Sequence, residues 1–227
     1  MAVSLIVQNI DLWNLTADDS SSSPTYNVEV GDIIVMQYGN RVTNPDIDDP
    51  YMSVTSGYAT LETSDEYAAR GATDYILTTA VYSVHTAGSI QFTMTCPNEI
   101  GDETCYGRAI GAQYRSDAGG LSYYGKGTKS TQISSGANVI PALTAASSRV
   151  WNIGCCVEWH AHTHSHSAYN YWTEVSDSWS YYIGVAYATN TTTGSIASDA
   201  VSLTDTASYL LGTSYAFQET GRRVFIT

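Results

Sequence analysis

The stretch Tyr26-Asn27-Val28-Glu29-Val30-Gly31-Asp32-Ile33-Ile34-Val35-Met36-Gln37-Tyr38 reads as extended chain interrupted once. Gly31-Asp32 marks a bend or bulge between Asn27-Val28-Glu29-Val30 and Ile33-Ile34-Val35-Met36. Outward from this stretch, apolar runs of strand length recur between turn-forming residues, and helical periodicity is nearly absent. The runs expected as strands are Val3 to Gln8, Tyr26 to Tyr38, Tyr51 to Thr63, Asp74 to His85, Ser89 to Thr95 and Tyr106 to Tyr114. Ser148 to Trp159, Ser167 to Thr173, Trp179 to Thr189, Ala200 to Thr204 and Ser208 to Gln218 complete the set. Thr86-Ala87-Gly88 reads as a tight hairpin connection, and Asp65 to Arg70 as the one short helix. Ser20 to Ser23, Gly119 to Gly127 and Thr189 to Gly194 read as turns or surface loops. Strands at this spacing predict an all-β fold, a single antiparallel β-sandwich of jelly-roll-like form over residues 1–227. On the alternation rule Trp179, Ile183 and Val185 share a core face.

Composition agrees with strands. Of 227 residues 43% are hydrophobic, enough for a sizeable core, and 14% are charged, below the roughly 25% usual in soluble proteins. The 18 tyrosines, with many Ser and Thr, suit a pleated surface. Asp plus Glu number 22 against 9 Lys plus Arg, for a net charge of −13, and Lys126 and Lys129 are the only lysines. With no basic stripe to displace counterions, nucleic acid is excluded as a partner. The acidic excess fits either a saline setting or an ordinary acidic surface. Met1 to Asn14 lacks the pattern of a signal peptide, and no apolar run approaches the ~20 residues of a membrane span.

Four cysteines add little. Cys96 and Cys105 flank Pro97 to Thr104 and are either a loop-closing disulfide, adding about 2–3 kcal/mol, or two free thiols. Cys155 and Cys156 point to opposite faces of one strand and read as small core or interface residues.

The segments Val28 to Val35, Thr86-Ala87-Gly88-Ser89-Ile90-Gln91-Phe92-Thr93, Trp179 to Thr189 and Ala207 to Phe217 resemble the frame of β-sandwich proteins from tailed viruses. The resemblance covers most of the chain through generic strand and turn patterns. It implies a virion role, as capsid decoration, vertex turret, or tail or fibre component, with host-surface glycan as a frequent ligand. It supplies no catalytic residues. A virion protein, made in the host cytoplasm without a signal peptide, also reconciles the missing leader with the Ser/Thr/Tyr/Asn-rich texture of outward-facing proteins.

Three constellations could carry chemistry. In Glu158-Trp159-His160-Ala161-His162-Thr163-His164-Ser165-His166, a period of two sets four histidines on one face, about 6.5–7 Å apart. Neighbouring imidazoles at that spacing could grip zinc, nickel or copper; the alternative is a solvent-facing strand whose histidines touch nothing. Asp46, Asp48 and Asp49, between Pro45 and Pro50, offer hard oxygen ligands for calcium, although the spacing is not that of an EF-hand and a solvated charge run fits as well. Tyr123, Tyr124, Tyr169, Tyr171 and Trp172 could stack on sugar rings or form a protein interface. No nucleophile elbow, phosphate loop, metalloprotease helix or dinucleotide fingerprint is present.

These observations point to a non-enzymatic, homo-oligomeric virion surface protein that contacts other virion proteins and a host glycan. A carbohydrate-binding module using loop aromatics is the alternative. A glycan-degrading enzyme is the third class, since paired carboxylates meet only in the fold.

Overall fold

The computed structural model describes residues 3–8, 13–15, 20–42, 51–55, 57–69, 74–95, 105–117, 119–132, 138–140, 143–145, 150–158, 171–176, 182–189, 194–196, 199–201 and 210–220. Those residues are all-β. The strands are β1 (Val3–Gln8), β2 (Trp13–Leu15), β3 (Ser20–Ser22), β4 (Tyr26–Val28), β5 (Ile33–Val42), β6 (Tyr51–Val54), β7 (Ala59–Ala69) and β8 (Asp74–Val84). Next come β9 (Gly88–Ile90), β10 (Phe92–Thr95), β11 (Cys105–Ser116), β12 (Leu121–Lys126), β13 (Ser130–Gln132), β14 (Asn138–Ile140) and β15 (Leu143–Ala145). The series ends with β16 (Val150–Glu158), β17 (Tyr171–Ser176), β18 (Tyr182–Thr189), β19 (Gly194–Ile196), β20 (Asp199–Val201) and β21 (Leu210–Glu219).

Among the described residues every strand pairing is antiparallel. A central sheet has the order β1-β11-β5-β8-β7, with β2 also on β11, and a second large sheet runs β12-β21-β16-β18-β17, with β13 also on β21. Smaller sheets join β3-β10-β6, β4-β9, β14-β20 and β15-β19.

Strand β5 explains the architecture. Ile33 to Tyr38 are buried without interruption, and because side chains alternate, such a run requires cover on both faces of the sheet. One face sends Ile34, Met36 and Tyr38, with Ala80, Tyr82, Val84 and Ala109, against Val28, Ile90, Phe92 and Met94 of the small sheets. The other sends Ile33, Val35, Val81, Ala112 and Tyr114 against Leu121, Tyr215 and Phe217 of the second large sheet. The central sheet is thus the middle of three layers. The sandwich-like packing expected from the sequence lies between the two large sheets, and the small sheets add a layer that the strand pattern did not announce.

Aromatic side chains anchor both interfaces. Phe92, Phe217, Tyr114 and Tyr215 are fully buried, each contributing roughly 1.5–3 kcal/mol by leaving water. Tyr82 and Phe92 meet edge to face, centroids 5.5 Å apart, an arrangement worth about 0.5–1.5 kcal/mol beyond area.

Several local expectations are corrected. Asp65 to Ala69 continues strand β7, paired Asp65↔Thr79 through Ala69↔Tyr75; Glu and Ala favour a helix locally, but ladder bonds to β8 override that preference. Thr86-Ala87-Gly88 is not a hairpin turn, because β8 pairs with β5 and β7 whereas β9 pairs with β4. The chain instead crosses there from the central sheet to an outer one. Within Gly119 to Gly127, Leu121–Lys126 forms β12 on β21, with a bulge between Tyr123 and Gly125. Ser20–Ser22 is strand β3 on β10, its Ser22 hydroxyl bonded to Thr93 Oγ1 at 2.7 Å. The run Tyr51 to Thr63 splits into β6 and β7 around Gly57. Trp179 lies outside the described residues, and Ile183 and Val185 sit on β18, paired with Val157 and Cys155. Cys155 and Cys156 are neighbours on β16, as expected; Cys105 opens β11 and Cys96 lies outside the described residues.

Candidate functional site

The bend at Gly31-Asp32 is a junction of layers. Gly31 has φ +90°, a left-handed conformation that L residues rarely adopt. A Cβ there would lie 2.6 Å from the Gly120 Cα. The Leu121 amide donates to the Gly31 carbonyl at 2.8 Å and the Thr220 amide to the Gly120 carbonyl at 3.0 Å. Three chain segments therefore meet where only glycine backbone fits: the β4–β5 bend, the entry to β12 and the exit from β21.

Asp32 secures the same junction. Its carboxylate is 1% exposed. It accepts hydrogen bonds from the Glu29 amide at 2.8 Å, and from Gln113 Nε2, Arg115 Nε and Arg115 Nη2 at 2.7 Å each. The fork-to-fork pairing with Arg115 neutralises the buried charge, while the amide donors fill its other lone pairs. Arg115 also reaches Glu29 at 2.7 Å on the exposed rim, a contact worth little in water. The hydrogen bonds to Asp32 raise the Arg115 pKa above its ordinary value, against a smaller opposing effect of burial. One residue on, the Ser116 hydroxyl donates to the buried Glu219 carboxylate at 2.6 Å, joining β11 to β21 across the layers.

A second charged cluster lies at the edge of the central sheet. Lys126 Nζ donates to Asp65 Oδ1 at 2.9 Å and to the Ser64 carbonyl at 3.3 Å. Lys129 Nζ donates to the Glu66 carbonyl. Tyr215 sends its hydroxyl to Asp65 Oδ2 at 3.0 Å from the second sheet. Both lysines of the chain thus land on one strand, β7.

The aromatic candidates divide. Tyr123 is half-buried, meeting Phe217 edge to face at 6.3 Å and packing on the inter-sheet core. Burial is the main cause raising its phenol pKa, partly opposed by the hydrogen bond with Thr63. Tyr124 is exposed, and the bulge separates it from a regular ladder. The two rings do not form one flat platform. Tyr171 and Trp172 lie on β17, the last strand of the second sheet's path, opposite Tyr187 and Ala186.

Tyr169, His160, His162, His164, His166, Asp46, Asp48 and Asp49 lie outside the described residues. Among the described residues no three His, Cys, Asp or Glu side chains gather as a metal-holding group, and no helix is long and apolar enough to cross a membrane. Sequence spacing does not join the members of the Asp32 and Lys126 clusters, because their partners are 83 and 61 positions away. A signal for the second was present, however: two lysines, the only ones in the chain, three residues apart. No family model, curated protein or solved structure matches this chain.

Proposed function

We propose that the protein is a non-enzymatic structural component of a virus particle surface, a capsid decoration, turret or tail element that assembles with copies of itself. The observation that carries this reading is the use of charge in a layered, sandwich-like β frame. Asp32 with Arg115, Glu219 with Ser116, and Asp65 with Lys126 and Tyr215 all tie one strand or sheet to another. Rigid cross-tied layers suit a part whose task is to hold shape at an exposed surface. The net charge of −13 and the resemblance to tailed-virus sandwiches agree with that role. Self-assembly is tested by light scattering coupled to size exclusion, with and without EDTA. A stable mass at a whole multiple of 24.5 kDa supports it and a strict monomer opposes it.

A carbohydrate-binding role is the second reading, favoured by the exposed ring of Tyr124 and by Tyr171 and Trp172 on an outer strand. Binding on a glycan array by a protein that stays monomeric would select it.

A further inference from the structure

Strand β7 ends the central sheet, and among the described residues it pairs only with β8. An edge strand presents a row of carbonyls and amides that another strand can use. Ser64 and Glu66 are two residues apart on an extended strand, so their carbonyls project to the same side, away from β8. Those two carbonyls receive Lys126 Nζ and Lys129 Nζ. The lysines arrive from the end of β12 and the turn beyond it, where the Gly127 amide holds the Ser214 carbonyl at 3.0 Å. Asp65, between the two carbonyls, fixes Lys126 further. A chain with only two lysines has placed both on adjacent outward acceptors of one sheet edge.

We propose that Lys126 and Lys129 form a removable cap on a strand-pairing edge, and that neutralising them lets β7 pair with β7 of a second copy. The same edge is self-complementary in the antiparallel sense, because two identical strands related by a two-fold axis exchange the same donors and acceptors. Ammonium groups block this pairing by filling the acceptors and by setting positive charge and bulk where the incoming strand would lie. Lysine-directed acylation, which removes the charge and two of the three donors, would open the edge. The proposal concerns this edge alone and stands or falls separately from the virion role.

The double variant Lys126→Gln/Lys129→Gln is compared with the parent by sedimentation velocity over a concentration series. The expected result is a concentration-dependent shift to faster species in the variant and none in the parent beyond its own assembly state. Loss of two positive charges from an already acidic chain increases mutual repulsion, so a non-specific charge effect has the opposite sign. Adding Ser64→Pro removes an outward amide without touching the β8 ladder and should restore the parent profile. Identical sedimentation of parent and double variant overturns the proposal, as does association that Ser64→Pro leaves unchanged. Should the double variant fail to fold, parent protein acetylated in its folded state is scored by the same shift, and its absence is equally decisive.

Discussion

Replacing Gly31 by alanine isolates the contact on which the layers converge, and Gly57 supplies its control. Both glycines have nearly the same backbone, φ +90° and +87°, so alanine at either position meets the same left-handed penalty, about 1–2 kcal/mol. Their surroundings differ. The new Cβ at position 31 would sit 2.6 Å from the Gly120 Cα, whereas at position 57 nothing lies within 4 Å. The Gly120 Cα is backbone, held on one side by the Thr220–Gly120 hydrogen bond and on the other by Leu121–Gly31, so it cannot swing aside as a side-chain tip would. Overpacking of this kind adds about 1–3 kcal/mol. Gly57→Ala should therefore cost about 1–2 kcal/mol and Gly31→Ala about 2–5 kcal/mol. For a chain of this length 1 kcal/mol moves Tm by roughly 2–4 °C, which places Gly31→Ala about 2–12 °C below Gly57→Ala in calorimetry. Equal melting temperatures for the two variants would refute the close approach of Gly31 to Gly120 and the layer junction built on it.

Other outcomes are expected from the same frame. Phe92→Ala and Phe217→Ala, on opposite faces of the central sheet, should each lower stability in urea by about 3–5 kcal/mol; a loss below about 1 kcal/mol for either would mean its face is not packed. Because Ile33 and Val35 share a core with Tyr215 and Phe217, the unassembled protein should unfold in one cooperative calorimetric transition, and two separated peaks would contradict this. Burial, with a smaller contribution from Tyr38, holds the Tyr82 phenol above its ordinary pKa of 10.0. A raised folded-state value stabilises the fold fully below pH 10.0 and loses that contribution as the pH climbs beyond it, so alkaline unfolding should begin at higher pH in Tyr82→Phe than in the parent. If His160, His162, His164 and His166 line a symmetry axis, the oligomer should weaken below about pH 6.5; His162→Gln/His164→Gln should abolish that dependence, and matching dissociation curves for variant and parent, with or without chelator, would exclude the site.

Strand positions were largely legible in the sequence because a half-buried or buried strand carries its own pattern of apolar residues. Val3–Gln8 begins and ends where the apolar run does, and β8, β16 and β21 lie within two residues of their expected ends. Partnership was not legible. Thr86 to Gly88 has the composition of a hairpin turn, yet β9, the strand after β8, pairs with β4, a choice made by the shared core of Val28, Ile90 and Phe92. Asp65-Glu66 looked helical because its charges are those of an exposed face; they sit instead on a sheet edge, where charge is tolerated, with Lys126 on the Asp65 carboxylate and Lys129 on the Glu66 carbonyl. The third layer was hidden for a related reason. The uninterrupted Ile33 to Met36 run marks a strand covered on both faces, but short outer strands such as Ser20–Ser22 carry no apolar signal of their own. Of the candidate aromatics, Tyr123 turned inward to Phe217 and Tyr124 outward, a division that one residue of register decides.

Native mass spectrometry of the purified chain at micromolar concentration tests the assembly claim most directly. One dominant homo-oligomer is expected, at a whole multiple of the 24.5 kDa subunit mass and unchanged on dilution over about a hundredfold range. A spectrum dominated at every concentration by the 24.5 kDa monomer would contradict it.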